Sequence, residues 1–150
     1  MAAASSLKYW VPGLLALAAV LATCGTTPPE APPDATRDRL PGTWLREYEA
    51  DGVKARRVLK LDADGAFFEK VRATDAAGRS NEQVHEGTWL YDGTNLKRRY
   101  TSMNGKPPSR LNLPIATFEV SFPSRDEFLG VDHIHGNRVH YRRVAAGTQP

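Results

Sequence analysis

The sequence predicts an all-β domain that closes as an eight-stranded antiparallel up-and-down barrel. Three features lead there. After residue 24 no long apolar run at helical spacing occurs, while apolar and polar residues alternate over short stretches, as half-buried strands require. Turn signals, mostly Gly beside Asp or Asn, recur about every dozen residues. The tetrapeptide Gly42-Thr43-Trp44-Leu45 also returns word for word as Gly87-Thr88-Trp89-Leu90, each copy reading as the opening of one half of the domain. Eight antiparallel strands can close on themselves and remove both sheet edges. The interior of such a barrel holds side chains or one small ligand. A chain of 150 residues suffices for one ordinary domain and not for two.

The N-terminal segment 1–23 has the layout of an export signal. Met1 to Lys8 carries one positive charge, and Val11 to Ala22 is apolar apart from Pro12 and Gly13. It is shorter than the roughly 20 apolar residues that span a bilayer. The segment ends in Leu21-Ala22-Thr23-Cys24, which resembles the lipobox of bacterial lipoproteins, with Thr23 where Gly, Ala or Ser is usual. The resemblance implies that Cys24 is lipidated and becomes the new N-terminus, and that Gly25, in place of Asp, directs the protein to the outer membrane facing the periplasm. The alternative is cleavage after Ala22, giving a soluble periplasmic or secreted protein. Cys24 is the single cysteine, so an internal disulfide is excluded.

From Cys24 to Arg39 the chain is rich in proline and poor in apolar residues, and reads as a disordered tether. Its Pro-Pro pairs favour extended geometry, about 3.1 Å per residue. The domain proper runs from Leu40 to Ala145, and 146–150 reads as a disordered tail.

Strands are expected at about Gly42–Glu49, Val53–Leu61, Ala66–Thr74, Gln83–Tyr91, Asn95–Ser102, Ile115–Phe122, Glu127–Ile134 and Arg138–Val144. Val53, Ala55, Leu59 and Leu61 share one face of the second, and Phe67, Val71 and Ala73 one face of the third. Ala116, Phe118, Val120 and Phe122 share one face of the sixth. Asp51-Gly52, Asp62 to Gly65, Ala76 to Arg79, Asp92-Gly93, Pro123 to Asp126 and Gly136-Asn137 supply turns. Asn104 to Pro108 begins the longest loop.

A Gly-x-Trp opening the first barrel strand resembles the lipocalins and the wider calycin group. The span from Leu40 to Val144 resembles the small lipocalin-like domains of bacterial lipoproteins. The resemblance implies a tryptophan that closes the barrel floor beneath an arginine of the last strand, here Gly42, Trp44 and Arg143 (or its neighbour Arg142). It also implies a non-catalytic binding protein for a small hydrophobic or amphipathic ligand, with a periplasmic interaction module as the alternative. Two departures bear on the ligand: no long lid loop follows the first strand, and Arg56-Arg57 and Lys97-Arg98-Arg99 reduce the apolar lining.

Three histidines invite a geometric test. With Gly136-Asn137 as a two-residue turn, His133 faces His140 and His135 lies two residues along the same face, close enough for a transition metal. Arg138 and Arg142 on that face oppose a cation, and a solvated hairpin is the competing reading. Asp62-x-Asp64-Gly65 fails the spacing of a calcium loop and reads as a turn. No nucleophile elbow is present. His85 with Glu119 or Asp132 is the one acid–base pairing worth considering; Glu86 points away from His85 on a strand. No cofactor is implied. Adjacent arginines split to opposite faces of a strand, so they build no nucleic-acid stripe, and the net charge of +3 mixes both signs.

Overall fold

The computed structural model describes residues 33–109 and 114–150. The signal segment, Cys24 and the first part of the tether lie outside the described residues. Eight strands pair each with the next, and β8 pairs back to β1, closing the barrel. They are β1 (Gly42–Ala50), β2 (Val53–Leu61), β3 (Ala66–Thr74), β4 (Ser80–Tyr91), β5 (Asn95–Met103), β6 (Ile115–Ser124), β7 (Glu127–Asp132) and β8 (Asn137–Val144). Every pairing is antiparallel. The expected up-and-down barrel is therefore the observed one, with strand ends displaced by a few residues at most.

Two stretches expected to be loose are ordered instead. Pro33–Arg39 forms a short helix, α1, where the sequence reads as tether. Proline's fixed φ suits the first helical turn, and basic residues suit the last. The helix delivers Leu40, fully buried, into the barrel floor. The tail is likewise engaged: the Gln149 backbone carbonyl accepts from Arg56 Nε (3.3 Å), and its side-chain oxygen accepts from Lys70 Nζ (3.3 Å). Pro150 is buried. These partners on β2 and β3 are what the tail's own composition does not reveal.

The two Gly-Thr-Trp-Leu copies occupy opposite ends of their strands. The first opens β1, as expected; the second sits near the end of β4 instead of opening a second half. Since β4 runs antiparallel to β3, which begins at the same level as the end of β2, both copies arrive at the floor. There Trp44 and Trp89 join Leu59, Leu61, Phe67, Leu96, Val120 and Phe128 in one cluster. The indole NH of Trp44 donates to the Leu40 carbonyl (2.8 Å), and that of Trp89 to the Asp62 carbonyl (2.8 Å). Phe128 meets Trp44 edge-on and stacks on Tyr141, each at 4.8 Å between ring centroids. Such pairs contribute about 0.5–1.5 kcal/mol beyond area burial.

Gly87 belongs to a bulge where the β4–β5 register shifts between Glu86 and Gly87. A β-carbon there would collide with the Arg99 carbonyl oxygen and the Phe67 ring. Only glycine lets β5 pass this closely, and the shift sets which β5 residues face inward.

Candidate functional site

Strand parity places one charged or polar side chain inward from each of several strands, in a layer above the floor. On β2, Arg57 shares the inward phase of Ala55 and Leu59; on β3, Glu69 lies between Phe67 and Val71. On β5, Arg98 lies between Leu96 and Tyr100. Glu69 pairs directly with His85 of β4 in the strand register.

Glu69 is the hub. It is fully buried, and Arg98 and His85 are nearly so. Its Oε1 accepts from Arg98 Nη1 (2.6 Å) and Arg57 Nη1 (3.1 Å), and its Oε2 accepts from His85 Nδ1 (2.9 Å). With the carboxylate ionised, Nδ1 carries the imidazole proton. Burial pushes the Glu69 carboxyl pKa up, but the charge of Arg98, the bond from His85 and the charge of Arg57 together hold it well below the usual carboxylate range. Burial works to lower the pKa of both arginines, and the attraction of Glu69 more than reverses it. Burial pushes the Tyr100 phenol up. The ring of Tyr100 stands edge-on to His85 (5.7 Å) and Phe67 (5.2 Å).

The layer carries a surplus of donors. Among the described residues, Arg57 Nε and Arg98 Nε are buried without a hydrogen-bond partner. Arg57 keeps 21 % of its side-chain exposure, whereas Glu69 keeps none. One layer outward, the buried Ala55 pairs with Ala73.

The wall has a weak seam. β1 and β8 pair only over Thr43–Leu45 and Arg142–Val144. Beyond Leu45 an open groove of about 350 Å³ is lined by Arg46, Tyr48, Arg138 and His140 among others. Arg46 sits opposite Arg57 in the β1–β2 register, and Glu47 lines the groove as well.

The residues singled out from sequence fall in two other places. Gly42, Trp44 and Arg143 meet at the floor. The guanidinium of Arg143 lies over the Trp44 ring at 4.1 Å and donates to the carbonyls of Arg39 (2.7 Å) and Pro41 (3.0 Å). Arg142, its neighbour, points outward to Glu47 (3.3 Å). A β-carbon on Gly42 would run into the Arg143 guanidinium.

The histidines are not aligned as expected. The β7–β8 loop spans four residues, because Asp132 pairs with Asn137 and its carboxylate accepts from the backbone of Ile134 (2.9 Å) and His135 (3.3 Å). His140 therefore faces Leu129 and not His133. Each imidazole takes its own carboxylate: His133 with Glu119, His135 with Asp132, His140 with Glu127. Among the described residues no three His, Cys, Asp or Glu side chains gather as a metal would need. Glu119 and Asp132 are thus taken, and the acid–base partner of His85 is Glu69 instead.

Sequence reasoning passes over Glu69 and reads Arg57 and Arg98 only as charges that reduce the apolar lining. The signal is present: each is a charge standing in the apolar phase of its strand, where a solvent-facing residue would break the alternation.

The architecture is a closed eight-stranded antiparallel up-and-down barrel. No protein-family model and no curated protein matches the chain. Among solved structures, it is similar to a lipocalin-like protein from Bacteroides uniformis ATCC 8492 at 16 % identity and a TM-score of 0.45, over 71 % of this chain and 99 % of that one. It is also similar to a de novo designed fluorescence-activating β-barrel, at 14 % identity and a TM-score of 0.40, over 73 % of this chain and 97 % of the other. Both are likenesses of fold; the barrel here rests on its own strand pairing.

Proposed function

We propose that this is a lipid-anchored envelope protein whose barrel binds a small ligand and does not transform it. The observation that carries the reading is the charged layer above the floor, where Arg57 and Arg98 share the Glu69 carboxylate and each keeps an unpaired buried Nε. A barrel serving only as a scaffold has no need to bury two guanidiniums against one carboxylate, since an apolar filling of similar volume is often as stable. Native mass spectrometry of the full chain, after incubation with a cell extract, is the test. Retention of a small molecule of one chemical class is expected; an unliganded spectrum after every extract would overturn the reading.

The anchor follows from Leu21-Ala22-Thr23-Cys24. The chain enters the domain at the floor, where Arg143 holds the carbonyls of Arg39 and Pro41, so the point of entry and the mouth lie at opposite ends of the barrel. A cysteine carrying two or more acyl chains would be held stably, at about 0.8 kcal/mol per buried CH₂. With the sorting residue Gly25, the site would be the periplasmic face of the outer membrane. Cys24→Ser is expected to move the protein from the detergent phase to the aqueous phase of a Triton X-114 partition, and to remove the acyl mass from the intact protein.

One feature favours a protein partner as the second reading. At the mouth rim Ile134 and Ile115 are 80 % and 55 % exposed, beside a groove lined by Ala116 and Phe118.

A further inference from the structure

We infer that the seam between β1 and β8 is a peptide-docking edge, where an extended acidic segment of another protein adds as a strand to β8. The inference stands apart from the ligand reading above, because it uses the wall of the barrel and not its interior. β1 and β8 pair only over Thr43–Leu45 and Arg142–Val144. Both strands continue beyond that pairing, β1 through residues 46–50 against β2, and β8 through residues 137–141 against β7. Among the described residues no backbone bond joins the two strands there. Alternate N–H and C=O groups of each strand therefore face a gap instead of a neighbour, and the groove of about 350 Å³ opens along it. An unpaired edge of this kind is a template for an incoming strand.

Charge selects the edge and the occupant. On β8 the outward phase carries Arg138, His140 and Arg142, while Val139 and Tyr141 turn inward and are buried. Among the described residues Arg138 has no carboxylate partner. Arg46, across the groove, has none either; its guanidinium lies over the Tyr48 ring at 4.3 Å. The carboxylate that lines the groove, Glu47, is already engaged by Arg56 and Arg142. The β1 edge presents Glu47 and Glu49 in its outward phase, so an acidic strand belongs on β8. The pattern it needs has period two. Side chains pointing outward meet Arg138 and Arg142 and should be Asp or Glu; those pointing inward lie beside Val139 and Tyr141 and should be apolar. His140 is held by Glu127 (3.3 Å), so the arginines supply most of the attraction. A basic segment would meet like charge. A second copy is a poor occupant, because pairing this edge with itself sets Arg138 against Arg142 or His140.

The test is fluorescence anisotropy of the full chain with a fluorescein-labelled octapeptide of alternating glutamate and valine. Its lysine–valine counterpart and a fully N-methylated glutamate–valine peptide are the controls. The acidic peptide should bind, the basic one at least about 10-fold more weakly, and the N-methylated one not at all, since it has no N–H to give the ladder. Arg138→Glu should weaken binding about 10-fold or more, as loss of a charge-assisted contact does. Arg37→Glu, the same change of net charge on α1 at the floor, should leave it unchanged. Arg138 is exposed, so circular dichroism should show both variants folded; Arg138→Gln serves if Arg138→Glu fails that check. Hydrogen exchange should slow at alternate amides of residues 137–141 when the acidic peptide is bound. Equal binding of the acidic and basic peptides, or of the N-methylated one, would overturn the proposal, and so would silence from all three. Protection of the same amides in a dimer formed without peptide overturns it too, and gives the seam to a second copy.

Discussion

Replacing Glu69 by glutamine is expected to lower the stability of the barrel by about 3–5 kcal/mol, the usual cost of removing one partner from a buried ion pair. The carboxylate is fully buried and is the common acceptor of Arg57, Arg98 and His85. Without its charge, two buried guanidiniums face each other with no counter-ion. Urea unfolding at neutral pH measures the loss. A pH series identifies its electrostatic origin. The folded-state pKa of Glu69 is depressed below its ordinary 4.5, so the ionised carboxylate contributes its full stabilisation above about pH 4.5. That contribution is lost progressively as the pH falls from there toward the depressed value. The wild type should therefore lose stability steeply below pH 4.5, and Glu69→Gln should show a shallower slope over the same window. A loss below about 1 kcal/mol with an unchanged slope would mean that the chamber is wetter and less coupled than its burial implies. Arg57→Gln, which removes the surplus charge and keeps the Arg98–Glu69 pair, should cost far less.

The strands are legible because their two faces meet different solvents. Ala55, Leu59 and Leu61 alternate with Lys54, Arg56 and Lys60, and a glycine follows or sits within most turns, so the period of the strand and its end are both written locally. Pairing register is not. In the β7–β8 hairpin, Gly136-Asn137 has the composition of the turn, but Asp132 captures two backbone NH groups and moves the turn upstream, which separates His133 from His140. The helix Pro33–Arg39 is hidden because its stability comes from Leu40 and Arg39 docking on the floor, where Arg39 lies over the Phe122 ring at 4.1 Å. A seven-residue segment has little helical stability of its own. The chamber is the least legible. Arg57, Glu69, His85 and Arg98 come from four strands, and nothing in a linear reading says that closure brings them together. Each one, taken alone, looks like a surface residue out of phase. Only closure of the sheet turns four phase violations into one network.

Trp44→Ala is expected to cost about 3–5 kcal/mol, in the range for removing a large buried aromatic. The indole is fully buried within the floor cluster. It packs edge-on against Phe128, lies under Arg143, and donates to the Leu40 carbonyl. The loss should be larger than that of Arg143→Met, where about 0.5–2 kcal/mol of cation–π attraction is at stake together with two bonds to backbone carbonyls. Trp44→Phe separates the contributions, because it keeps most of the ring packing and loses the NH donor and the larger face. Denaturant unfolding of the three variants gives the order. The aromatic packing continues upward from the floor: Trp44 contacts Phe128, and Phe128 stacks on Tyr141. If Trp44→Ala unfolds at nearly the wild-type urea concentration, the floor is held by strand pairing and Leu40, and the indole is a filler instead of a keystone.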